Sequence, residues 1–178
     1  MYFRKYIIET LKLNKITFKL DIDFDLELDF ILVGISSSFR DYRLCHFINK
    51  HTGLAFIYGK ESPIDHNGNL KTKPQEELDF HIIQDKSKGK KETTHHYQMY
   101  RYCCDSFDFE YYLINNKSLE NGLLIPEAPN FDYFMIIKHY IDEEDLDNLI
   151  DNLKSINEIM LVKEIDPTIL KSKENLIF

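Results

Sequence analysis

The sequence predicts one α+β domain, with a mixed, mostly antiparallel sheet and two or three helices packed on one face. Three observations predict it. Two strand-helix-strand patterns, at about residues 28–58 and 131–163, enclose a run of consecutive strand patterns. Phe (13) and Tyr (11) are abundant while Trp is absent, a bias that suits a sheet-rich core. No Gly/Ser-rich linker divides the 178 residues, and a chain of this length buries roughly 70% of its unfolded surface as one unit.

Taken in order, residues 1–15 carry a loose helical spacing (Phe3, Tyr6, Ile7, Leu11) and form a helical extension. From Asp21 acids and hydrophobes alternate through Phe30, so a strand here puts Asp21, Asp23, Asp25, Glu27 and Asp29 on one face. The apolar run Ile31-Leu32-Val33-Gly34-Ile35 continues it as a more buried strand. Ser38 with Asp41 three residues later resembles a capping box, which predicts a helix with Leu44, Cys45, Phe47 and Ile48 inward and Gly53 as its stop. Residues 54–58 read as the next strand, and residues 60–76 and 84–94 as mobile loops rich in turn and charged residues.

Residues 78–83, 97–103 and 107–114 follow as strands, the last two joined at Asp105-Ser106. Residues 131–137 give another strand. Asp142 then caps a helix with Glu143, Glu144 and Asp145 in its first turn and Leu146, Leu149, Ile150 and Leu153 inward. Residues 159–162 return as a strand, and Pro167 ends regular structure.

Composition removes several function classes. A formal net charge of -8 repels polyanions and disfavours nucleic acid and anionic membrane as partners. The lysines at 86, 88, 90 and 91 form a short run without arginine and read as a solvated loop. Three cysteines, Cys45, Cys103 and Cys104, suit reduced thiols and a cytoplasmic home, and the start of the chain has no signal-peptide pattern. No apolar run approaches the ~20 residues of a membrane span.

The candidate sites are incomplete by the standards of known chemistry. The acidic alternation fails as a calcium loop, because its sixth and twelfth positions are Leu26 and Leu32. It reads as a charge-guarded sheet face, or as an acidic docking face for a basic partner. His95-His96 and Cys103-Cys104 lack zinc spacing, so no metal or cofactor is implied and the cysteines are expected to pack as small apolar residues. Ser36, Ser37 and Ser38 join a strand to a helix start. Capping explains them, while a pocket for a small anion aided by Arg40 or Arg43 is the functional alternative. Ser36 has no G-x-S-x-G setting, and Cys45 and His46 diverge on a helix.

One stretch carries a signature. Ile125-Pro126-Glu127 and Phe131-Asp132-Tyr133 resemble the hallmark of the bacterial IPExxVDY family, with one extra residue in the turn and Phe in place of Val. Leu32-Val33-Gly34-Ile35-Ser36-Ser37, with Asp41-Tyr42-Arg43-Leu44-Cys45 and Asn49, is similar to that family's other recurrent region. The resemblance covers about half the chain and implies a small uncharacterised bacterial protein with no assigned activity or catalytic residue. The family's gene neighbours imply a metabolic or RNA-processing housekeeping partner.

From the residues themselves, the signature is expected to be a corner. Ile125-Pro126 ends a strand, Pro129 stiffens the turn, and Asp132 and Glu127 accept hydrogen bonds from turn amides. Glu127, Asp132 and Tyr133 remain candidates for binding. The expected function is therefore that of a cytosolic, non-enzymatic adaptor or regulatory module that binds another protein through a sheet edge or acidic face. The rival is a small-ligand binder or enzyme with its pocket at Ser36 to Ser38.

Overall fold

The structure is a computed structural model that describes residues 28–58, 80–85, 92–104 and 109–178. The expected N-terminal helical extension, Asp21, Asp23, Asp25 and Glu27, the 60–76 loop, residues 86–91 of the 84–94 loop, and the Asp105-Ser106 connection lie outside the described residues.

The elements run β1 (Ile31–Ser37), α1 (Asp41–Thr52), β2 (Ile57–Tyr58), β3 (Phe80–Asp85), β4 (Thr93–Cys104), β5 (Phe109–Asn115), β6 (Tyr133–Ile137), α2 (Glu143–Lys154) and β7 (Ile159–Ile165). They build one α+β unit around a seven-stranded sheet of order β2-β4-β5-β6-β1-β7, with β3 also paired to β4. Every described pairing is antiparallel, although a mixed sheet was expected.

The reason lies in how the two strand-helix-strand units are split. β6 and β7 point the same way, but β1 lies between them and pairs with both. β1 and β2 are likewise separated, by β6, β5 and β4. Each helix thus crosses over intervening strands, and a parallel pair never forms.

Alternation along the strands gives the sheet two buried faces. Val33, Ile35, Leu113, Tyr133, Met135 and Ile137 face the helices, which contribute Leu44, Cys45 and Ile48 from α1 and Leu146, Leu149 and Leu153 from α2. Leu32, Met99, Tyr112, Ile114, Phe134 and Ile136 point the other way. That second face is covered by Leu124 and Ile125 of the signature segment and by Leu170 and Leu176 of the C-terminal strap. The strap holds two short 3-10 turns, Pro167–Ile169 and Lys173–Leu176. Gly34 lies on this face, and a Cβ there would stand 2.7 Å from Phe131 Cδ1 and 2.8 Å from Ile165 Cδ1.

Several local expectations hold for their stated reasons. Asp142 caps α2 by accepting from the Asp145 amide at 2.8 Å, and Gly53 ends α1 with a φ of 76°. Others need correction. Leu28, Asp29 and Phe30 are not strand, so the described β1 begins only at Ile31. Arg40, not Ser38, is the N-cap of α1 and offers no side-chain cap. Of residues 54–58 only Ile57 and Tyr58 pair. Gln84 and Asp85 pair with Thr94 and Thr93, so the expected loop at 84–94 is strand at both ends, because an edge ladder needs backbone partners rather than apolar alternation. No helix among the described residues is long and apolar enough to cross a membrane.

Candidate functional site

The signature corner is built from side chains that bind other parts of this chain. Asp132 sits just before β6, where its amide donates to Ile35 O at 2.9 Å. Its Oδ2 accepts from the Ser37 amide at 2.9 Å and from the Ser36 hydroxyl at 3.1 Å. Asp132 therefore accepts from β1 rather than from its own turn. A carboxylate already occupies the donors that the strand-to-helix junction would otherwise offer to an anion.

Ser37 Oγ donates to Glu158 O at 3.0 Å and accepts from the Phe39 amide at 3.2 Å, so it stitches β1 to the start of β7. Ser38 donates its amide to the same carbonyl. The Tyr133 hydroxyl donates to Phe39 O at 2.7 Å, and burial, with Asp41 and Asp132 nearby, raises that phenol well above its ordinary range. Tyr133 is a core anchor.

Glu127 is spent on the strap. Its two carboxylate oxygens accept from the Ser172 amide and hydroxyl, each at 2.7 Å. Partial burial raises its pKa, but these bonds outweigh that and hold the carboxyl below the usual range. Further clamps on the strap are Asn175, which donates to Leu124 O at 2.8 Å, and His81, whose Nε2 lies 2.7 Å from Asn175 O.

Sequence reasoning missed the hub of the corner, Asn116, which is 1% exposed. Its Nδ2 donates to Phe131 O at 2.8 Å and to Ala128 O at 3.1 Å, and its Oδ1 accepts from the Ile125 amide at 2.9 Å. Its backbone joins Asp132 O and the Leu124 amide. The second Asn of the Asn115-Asn116 pair carries no periodic signal; only its place after an apolar run, before a turn-rich segment, could have pointed to it. Correspondingly, residues 123–125 are not a strand: the Leu124 amide donates to the Asn116 backbone carbonyl, the Ile125 amide to its side chain, and Leu123 makes an isolated bridge with Lys117.

Around the corner lies a cleft of about 330 Å³, lined by residues that include Ser37, Asn115, Lys117, Asp132 and Tyr133. Arg40 and Arg43 are not in its lining. Arg43 stacks over the Phe39 ring at 4.7 Å, and Phe39 in turn stacks on Phe47. A second cleft of about 450 Å³ lies beside α2 and includes His139, Tyr140, Asp142 and Asp145. With Asp21, Asp23, Asp25 and Glu27 outside the described residues, the described acidic surface is that of α2, where Glu143, Glu144, Asp145, Asp147 and Asp151 are exposed. Asp29 is exposed as well.

The histidines and cysteines go separate ways. His95 Nδ1 lies 3.1 Å from Ser118 Oγ, whereas His96 binds Glu120 through its amide and its ring. Those two contacts hold the Glu120 carboxyl down to about 2. No group of three or more potential metal ligands occurs among the described residues. Cys45 packs as the small apolar residue expected, and burial, with Asp41 nearby, pushes its thiol up to about 12. That thiol is protonated at neutral pH and is a poor nucleophile. Cys103 is exposed, which corrects the expectation for it: it shares the face of Tyr97 and Met99 but lies near the end of β4, outside the buried cluster there.

One edge of the sheet is open among the described residues. β7 pairs with β1 alone, and a bulge between Ser36 and Ser37 leaves Met160 without a partner in the register. Met160 is 70% exposed and Leu161 43%. Comparison of the chain with protein-family models, curated proteins and solved structures gives no match.

Proposed function

We propose that this chain is a non-enzymatic adaptor or regulatory module of the IPExxVDY kind that binds another protein in the cytosol along the outer edge of β7. The observation that carries this reading is that edge, with unpaired backbone among the described residues and with Met160 and Leu161 exposed on it. A strand from a partner adds main-chain hydrogen bonds there, and the two apolar side chains supply contact area. The bulge at Met160 and the charges of Lys163 and Glu164 restrain uncontrolled edge-to-edge pairing, as natural edge strands require.

The partner is a basic protein, because a chain of net charge -8 attracts positive surfaces and repels acidic ones. A housekeeping protein of metabolism or RNA processing is the class that the family resemblance favours. The absence of an enzymatic role is supported by how the polar groups are used: Ser37, Tyr133, Glu127 and Asn116 all engage groups of this chain.

The test is quantitative co-purification of the tagged native chain and of the M160K/L161K double variant. The wild type is expected to retain one stoichiometric partner, and the variant to lose it by about tenfold or more. Equal recovery with both proteins would overturn the assignment to β7.

A further inference from the structure

The 330 Å³ cleft at the end of the sheet holds two opposite charges that do not pair with each other. Lys117 is exposed at its rim, fixed there by the backbone bridge to Leu123, and has no acidic partner among the described residues. Asp132 commits Oδ2 to Ser36 and Ser37, while Oδ1 accepts from no donor among the described residues. A third group is also unsatisfied. Asn115 Oδ1 is buried without a donor, and its Nδ2 lies 3.5 Å from Gln98 Oε1, at the limit of a hydrogen bond. Phe39, Leu123 and Phe131 supply apolar wall beside Ser37, Asn116 and Tyr133, whose polar groups are engaged within the chain.

A cleft with one unpaired cation and one uncommitted anion oxygen beside apolar wall is complementary to a molecule carrying both charges. Its volume lies at the small end of the ~300–1,000 Å³ typical of ligand sites. We propose that this cleft binds a small zwitterionic aminocarboxylate, with its carboxylate on Lys117, its ammonium on Asp132 Oδ1 and its carbon chain against Phe39, Leu123 and Phe131. A simple anion fits less well, because Asp132 repels it. A simple cation leaves Lys117 unanswered. The site is independent of the β7 edge and needs no chemical step.

The experiment is titration of the full chain, followed by calorimetry and amide chemical shifts. The probes are L-leucine and 6-aminohexanoate, which carry their two charges close together and far apart, with hexanoate and hexylamine as single-charge controls. At least one aminocarboxylate is expected to bind about tenfold more tightly than either control, shifting the amides of Lys117 and Asp132. K117E, at an exposed position that does not threaten folding, is expected to abolish that binding, and K117R to keep it. Failure of both aminocarboxylates, equal binding of hexanoate, or an unchanged Kd in K117E would each overturn the proposal.

Discussion

Asp132 holds Ser37: the carboxylate that precedes β6 accepts the amide near the end of β1 at 2.9 Å, across 95 positions of sequence. This bond ties the signature corner to the junction that launches α1. Asp132→Ala removes it together with the Ser36 bond and is expected to lower unfolding stability by about 1–2 kcal/mol. Asp132→Asn keeps one carbonyl acceptor and should lose less. Urea denaturation of the two variants beside the wild type checks the order.

Asn116 is the costlier position. Its replacement by Ala leaves the Ile125 amide and the Ala128 and Phe131 carbonyls without their side-chain partner, a loss of roughly 3 kcal/mol or more. Asn116→Asp sets a carboxylate against those two carbonyl oxygens. Its stability deficit relative to wild type is expected to be largest at neutral pH and to shrink as pH falls from the raised pKa of the folded state towards the unfolded carboxyl value of about 4. Denaturation midpoints across pH 3 to 7 give the comparison.

Glu127 makes the attachment of the strap depend on pH. Its folded pKa is depressed, so the contribution is present above the unfolded carboxyl value and fades as pH falls through the folded one, below about pH 4. Glu127→Gln is expected to speed hydrogen exchange of the Ser172 amide at pH 7. The difference from wild type should vanish at acid pH, once intrinsic rates are corrected. An unchanged exchange rate at pH 7 would mean that the latch does not hold the strap.

The thiols should separate cleanly under alkylation. Cys45 is buried with its pKa near 12, while Cys103 is exposed. Iodoacetamide at pH 7.5, followed by peptide mass analysis, is expected to modify Cys103 at least about tenfold faster than Cys45 in the native protein. Denaturant should erase the difference.

Much of the framework was legible in the residues, since it rests on local rules. Alternation placed β5, the apolar run placed β1 and β6, and the caps at Asp142 and Gly53 follow from side-chain chemistry within one turn. What stayed hidden depends on partners distant in sequence. Nothing near Glu127 announces Ser172, and Asn116 carries no periodicity. Similarly, the insertion of β1 between β6 and β7 is fixed only when the sheet assembles. The signature acids were picked out correctly as hydrogen-bond acceptors, but their donors belong to β1 and the strap rather than to the turn.

The most direct test of the protein-binding account is site-specific photo-crosslinking with a benzoylphenylalanine placed at Leu161, compared with one at Tyr42, which is 58% exposed on α1. The account predicts a single discrete heterodimer from position 161 and none from position 42. No product from position 161, or the same product from both positions, would contradict it.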